Sequence, residues 1–235
     1  MVSIRPRRSL LNQRRGRRVA AYSTSGSGEG RRVAAHSPLS DAPRTLAAMG
    51  RIRFDTATTL NGFLADSQHS LAWLFAVPGA DDAERDIPTP DAAVDVMGSH
   101  SYEWMLRELD MLERPEKWAE FFGSTPVYVV TTRMLPAPRG ADVRFVDGPV
   151  AELLPSIREA AGDGDIWVMG GGDLVGQFFD AGALDEVAVT IAPVTLDAGA
   201  PLLPRRIESD RLRLVEAYAS GQFVRAVYEV LPSGP

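Results

Sequence analysis

One stretch restricts the fold more than any other. Residues 165–169 (DIWVM) are an apolar run too short for a helix. Gly170, Gly171 and Gly172 follow, then DLVGQFFDAGAL (173–184), then the β-branched run EVAVTIAPV (186–194). An apolar run, a glycine turn, an amphipathic segment and a second apolar run read as strand, helix, strand, the repeating unit of a largely parallel sheet. The same stretch suits an anion. Glycines let backbone N–H groups approach a phosphate, and the helix start adds unpaired donors and a partial positive charge. The spacing is not the dinucleotide fingerprint G-x-G-x-x-G, because the glycines fall at 170, 171, 172 and 176.

The rest of the chain extends this pattern. Residues 51–66 (RIRFDTATTLNGFLAD) read as a strand entering a turn at Asn61-Gly62. Residues 67–90, rich in Asp, Pro and Gly, read as a loop, and AAVDVMG (92–98) as a buried strand. Residues 99–110 carry Tyr102, Met105, Leu106 and Leu109 at helical spacing, with Ser99 expected as the N-cap. PVYVVTTR (126–133) reads as a strand. Residues 149–161 read as a helix that Pro155 is expected to kink. RLRLVEAYA (211–219) and QFVRAVYEV (222–230), joined at Ser220-Gly221, read as an antiparallel hairpin. The predicted fold is α/β, a mostly parallel sheet in three α/β/α layers closed by that hairpin.

Composition removes several chemistries. The 235 residues contain no cysteine, which excludes a disulfide scaffold, a thiolate nucleophile, a Cys-ligated zinc site and an iron–sulfur cluster. Lys117 is the only lysine and has no glycine-rich loop before it, which argues against a P-loop or a Schiff base. No metal site is expected. Charge divides the chain. Residues 1–48 hold ten Arg against Glu29 and Asp41, a balance of +8, whereas residues 49–235 balance to −14. The head is Arg, Ser, Gly and Ala with few large apolar residues, too little to offset the entropy of ordering, so a disordered extension is expected. It repeats RRVAA at 17–21 and 31–35. Its composition also suits a nucleic-acid arm, an export signal with Arg7 and Arg8, an organelle transit peptide, or a plain upstream extension with Met49 as initiator. The last is favoured. One domain over 49–235 follows, with no nucleic-acid or membrane partner and a cytoplasmic location.

Ligands of open α/β sheets lie beyond the carboxyl ends of the strands. Three such ends carry anion-ready chemistry: Gly170 to Gly172, Gly98-Ser99-His100-Ser101, and Thr131-Thr132-Arg133. In order, TATTLNGFLAD, VMGSHSYEWM, VYVVTTR and IWVMGGG through Pro204 resemble the dihydrofolate reductase-like superfamily. The resemblance is closest to the C-terminal reductase domain of bifunctional riboflavin-biosynthesis deaminase/reductases and its stand-alone relatives, and it covers about residues 51–230. It implies an NADPH-dependent reductase acting on a pyrimidine- or pteridine-type substrate, most like 5-amino-6-(5-phosphoribosylamino)uracil. A dihydrofolate reductase-type enzyme and a non-catalytic NADP-binding dimerisation module are the alternatives. The deaminase half needs a Cys pair for zinc and is not expected here. Pairing through the sheet edge, as relatives do, implies a homodimer.

Carried over by position, Gly170, Gly171 and Gly172 with the amides of Asp173 and Leu174 would hold the pyrophosphate. Gly98 to Ser101 would meet the phosphate and adenosine side, and Thr131 to Arg133 the ribose with its 2′-phosphate. Ala57 and Leu64 would flank the nicotinamide. Asn61, Gly62, Trp73 and Gly199 would border the substrate. The relatives' Arg after the second-motif glycine is here Ser99, so the 2′-phosphate would rely on Arg133; without it, NADH or a deazaflavin becomes the cofactor. Their Asp before the first-motif glycine is here Asn61, which keeps the turn and loses a proton-transfer group. Asn61 and Asp66 are the candidate catalytic residues, with Asp55 and Glu103 read as solvated carboxylates. For a phosphorylated substrate, residues 60–90 offer one cation, Arg85.

Overall fold

The computed structural model describes residues 50–80 and 86–232. The Arg-rich head, Met49 and Arg85 lie outside them. The strands are β1 (Ile52–Thr59), β2 (Phe63–Ala65), β3 (Val94–Gly98), β4 (Val127–Val130), β5 (Val143–Val146), β6 (Ile166–Gly170), β7 (Glu186–Ala192), β8 (Ala200–Pro201), β9 (Leu212–Ser220) and β10 (Phe223–Val230). The helices are α1 (Ala72–Phe75), α2 (Ser99–Glu108), α3 (Glu116–Phe122), α4 (Val150–Ala161) and α5 (Gly172–Asp180).

Eight strands form one sheet in the order β5-β4-β3-β6-β1-β7-β10-β9. Only β10 runs against its neighbours, pairing antiparallel with both β7 and β9. Strand alternation sorts the faces. Ile52 and Phe54 of β1, Val94 and Val96 of β3, and Ile166 and Val168 of β6 turn to α4 and α5 and make the larger core. On the other face Met97, Val127 and Val129 pack against α2 and α3. Beyond those helices, the same face over β6, β1, β7 and β10 carries Trp167, Asp55, Thr190 and Phe223, and it floors a cavity. A second, two-stranded sheet of β2 and β8 stands beside the end of β1.

The segment singled out first is a strand and a helix with its glycines at the junction. Its helix begins one residue earlier than read, at Gly172, and ends four residues sooner, at Asp180. Gly182 causes the early end. It takes φ 65°, and the amides of Gly182 and Ala183 bond to Phe179 and Phe178, a C-terminal cap that needs a left-handed residue. The expected Ser99 N-cap is corrected. Gly98 occupies that position with no side-chain cap bond, and Ser99 is the first helical residue. Helix α4 continues through Pro155. Elements α1, α3, β2, β5 and β8 were not read from the sequence.

Candidate active site

The cavity, about 450 Å³, lies where β1, β3 and β6 end. Of the residues carried over, Ala57, Leu64, Trp73, His100, Ser101, Gly170 and Gly171 line it. Gly170 sits against α2: a Cβ there would come within 3.1 Å of Ser101 Oγ. Gly171 faces open space, with nothing within 4 Å of a Cβ. Gly172 serves packing instead, since a Cβ would fall 2.1 Å from the Pro201 carbonyl. The amides of Gly172, Asp173 and Leu174 open α5 and have no acceptor earlier in the helix. An open glycine followed by free first-turn amides is a cradle of the kind a pyrophosphate fills. These residues fit the phosphate part of a dinucleotide.

The remaining positions do other work. Asn61 is held by its turn: its Nδ2 donates to the Leu196 carbonyl at 2.6 Å, and its Oδ1 accepts from Leu196 N and Thr59 Oγ1. Asp66 accepts from the amides of Gln68 and Ser70. Both candidate catalytic groups thus shape backbone, and neither lines the cavity. Gly62, at φ 81°, makes the turn after β1, and Gly199 packs on β2, where a Cβ would strike the Ala65 carbonyl at 2.0 Å. The Asp173 carboxylate bonds Gln177 and Arg205, and Arg205 also reaches Asp180. Thr131, Thr132 and Arg133 follow β4 outside the cavity. There Arg133 donates to both oxygens of Glu103 at 3.0 and 2.6 Å, so the cation expected for a 2′-phosphate already has an exposed partner. Glu103, read as solvated, is that partner. His100 stacks on His69 with ring centroids 4.2 Å apart.

The structure adds one group that the sequence reading placed in solvent. Asp55 on β1 lines the cavity, and Arg225 on β10 grips its carboxylate at 2.7 and 2.5 Å. Arg225 also donates to Thr190 Oγ1 at 3.1 Å, and Trp167 Nε1 donates to the Asp55 carbonyl at 3.0 Å. Burial pushes the Asp55 carboxyl above the usual carboxylate range, with the Arg225 guanidinium pulling against it. Alternation in β1 was the available signal, since Asp55 falls on the face opposite Phe54.

The family model for the RibD C-terminal domain matches residues 51–225. The uncharacterized protein YwjB of Bacillus subtilis (strain 168) is 26% identical over 174 residues, covering 73% of this chain and 93% of its own. Among solved structures, a putative riboflavin biosynthesis protein from Shewanella sp. PV-4 superimposes with a TM-score of 0.56 at 24% identity, over 78% of this chain and 99% of that one. The Thermotoga maritima diaminohydroxyphosphoribosylaminopyrimidine deaminase/5-amino-6-(5-phosphoribosylamino)uracil reductase gives 0.52 at 16% identity, over 78% of this chain and 57% of its own. Enterococcus faecalis dihydrofolate reductase, complexed with NADP(H) and RAB-propyl, also gives 0.52, at 14% identity, over 79% and 99%. At these identities the likeness is one of fold, and the fold is dihydrofolate reductase-like.

Proposed function

This chain belongs to the RibD C-terminal domain family, and from that membership we propose that it is an NADPH-dependent reductase of a pyrimidine- or pteridine-type ring. The reaction nearest in kind is reduction of 5-amino-6-(5-phosphoribosylamino)uracil. The observation that carries the reading is the open Gly171 cradle at the head of α5, facing a cavity large enough for a ring beside a nicotinamide. When bound, the dinucleotide supplies the hydride. The chain's own part is to bind and orient the two reactants. Gly171 and the amides of Asp173 and Leu174 suit the pyrophosphate. Ala57 and Leu64 give the nicotinamide an apolar wall, and Trp73, Trp104 and Phe223 give one to the ring. With Asn61 and Asp66 committed to turns, solvent water is the proton source.

Titration with NADPH, followed by cofactor oxidation in the presence of the phosphoribosylaminouracil and of dihydrofolate, tests this. Binding with turnover supports it, and no NADPH binding overturns it. The commitment of Asn61 and Asp66 favours a second reading, a binding module without turnover, which predicts tight NADPH binding and no oxidation. The same proposal includes a homodimer through β9, an edge strand whose Leu214 and Val215 are 47% and 51% exposed. Light scattering on the eluted protein measures that state. No helix among the described residues is long and apolar enough to cross a membrane.

A further inference from the structure

Three neighbouring strands put Asp55, Thr190 and Arg225 side by side on one face of the sheet, the first two on the cavity floor and Arg225 beside them. Thr190 pairs with Ala57 on one side and Arg225 on the other, and Asp55 lies two residues before Ala57 on the same face. Asp55 and Thr190 line the cavity, whereas Arg225 does not; its side chain is 5% exposed. Three of its five N–H donors hold the other two groups. What remains for a ligand follows from valence. Each Asp55 oxygen keeps a second lone pair, and Thr190, whose oxygen accepts from Arg225, keeps its hydroxyl hydrogen. An acceptor beside a donor complements a ring edge that carries N–H next to C=O.

The remainder of the lining fixes the charge of the occupant. Among the described residues, no Lys or Arg lines the cavity, and Asp55 is the only carboxylate that does. Trp73, Trp104, Trp167, Met169 and Phe223 supply flat, apolar surface. A phosphate dianion brought to this floor, away from the α5 amides, would lose its water, meet no Lys or Arg among the described residues and face the Asp55 carboxylate. The phosphoribosyl tail is therefore the part of a phosphoribosylaminouracil for which the described lining offers no Lys or Arg.

We propose that the cavity takes a flat, uncharged, phosphate-free lactam ring, read on its N–H/C=O edge by Asp55 and Thr190, with Arg225 as the positioning residue. This refines the substrate of the reductase proposed above and rests on that reading only for the destination of the hydride. Calorimetric titration tests it with 2,4-dioxopteridine and its N,N′-dimethyl derivative, which has no ring N–H in the lactam edges, on the full chain with NADPH present. NADPH affinity is measured separately by cofactor fluorescence. The unmethylated ring is expected to bind about ten-fold or more tightly than the dimethyl derivative. Asp55→Asn should weaken it by about ten-fold or more, and Thr190→Val by several-fold, with NADPH affinity unchanged in both. Equal binding of the two rings overturns the proposal, as does unchanged ring affinity in both variants. So does tighter binding of the phosphoribosylaminouracil than of its phosphate-free riboside. Asp55→Asn leaves the Arg225 charge short of its partner, so if it does not fold, the two-ring comparison on the unaltered protein decides. Failure of NADPH to bind would overturn the reductase reading and leave that comparison standing.

Discussion

Gly172 and Gly176 lie one turn apart on α5, and alanine at the two positions should have unequal consequences. At Gly172 a Cβ would fall 2.1 Å from the Pro201 carbonyl oxygen and 2.6 Å from that of Leu202. The obstacle is backbone and is held in place: Leu202 N donates to the Gly62 carbonyl at 2.9 Å, and β8 pairs with β2. Relief requires moving β8, and β2 with it, off the helix. Forced overpacking of this kind costs about 1–3 kcal/mol. With a urea slope of about 2 kcal/mol per molar, the midpoint should fall by about 0.5–1.5 M. At Gly176 the nearest atoms belong to the Arg205 guanidinium, 2.6–2.9 Å from a Cβ. That is the end of a flexible chain. Displacing it weakens pairs with Asp173 and Asp180, whose carboxylates are exposed, at about 0–1 kcal/mol each. Alanine in a helix interior returns about 0.5–1 kcal/mol. The net change for Gly176→Ala should lie between about 1 kcal/mol gained and about 1.5 kcal/mol lost. Urea unfolding followed by tryptophan fluorescence measures both. If Gly172→Ala unfolds at the parent midpoint, or Gly176→Ala costs more than Gly172→Ala, the assignment of Gly172 to packing is wrong.

The Arg133–Glu103 pair predicts cofactor preference: Arg133→Ala should weaken NADPH and leave NADH unchanged, while Glu103→Gln, which frees the guanidinium, should raise the NADPH-to-NADH affinity ratio several-fold. An unchanged ratio in both variants removes Arg133 from the 2′-phosphate. Asn61→Ala removes three hydrogen bonds, two that tie the turn after β1 to Leu196 and one from Thr59, and it should lower stability by about 1–3 kcal/mol. It should leave the pH profile of any turnover in place, and a shifted profile would restore Asn61 to the chemistry. Burial pushes the Tyr102 hydroxyl up to about 12, and it donates to the Pro136 carbonyl at 2.7 Å. Because the folded value is the raised one, the stability linked to the neutral phenol is complete below the ordinary tyrosine range, near pH ~10, and is lost as pH climbs toward the folded value. Urea midpoints should therefore drop on alkaline titration above pH ~10, and less steeply in Tyr102→Phe. Equal slopes would refute the assignment.

Local rules account for the elements that were legible. The β-branched runs at 186–192 and 127–130 became strands, and the spacing of Tyr102, Met105 and Leu106 became the buried face of α2. Ends were less legible, because they depend on single backbone conformations. Gly182 stops α5 through its left-handed φ, although the apolar pattern runs on to Leu184. Strand β5 was not legible at all. Its residues Val143, Arg144, Phe145 and Val146 alternate over three positions only, too few to mark a strand, and the strand exists because β4 offers an unpaired edge to it.

The glycine run shows where sequence reasoning about a site reaches its limit. Three consecutive glycines were legible as a turn near an anion, but not that they divide the work. Gly170 makes room for Ser101, Gly171 faces the cavity, and Gly172 lets β8 approach. That division depends on Pro201, some thirty residues along the chain, and no local pattern encodes it. Asp55 is the stronger case. In its own strand it alternates with Phe54 and reads as the solvent face, which is correct for a strand taken alone. The residue that changes its meaning is Arg225, 170 positions later, which reaches it only because β10 lies beyond β7 in the sheet. A carboxylate on an outward face becomes a cavity group when a distant strand delivers its counter-ion. Charged residues that alternate with core positions on central strands are therefore the ones whose roles cannot be assigned until strand order is known.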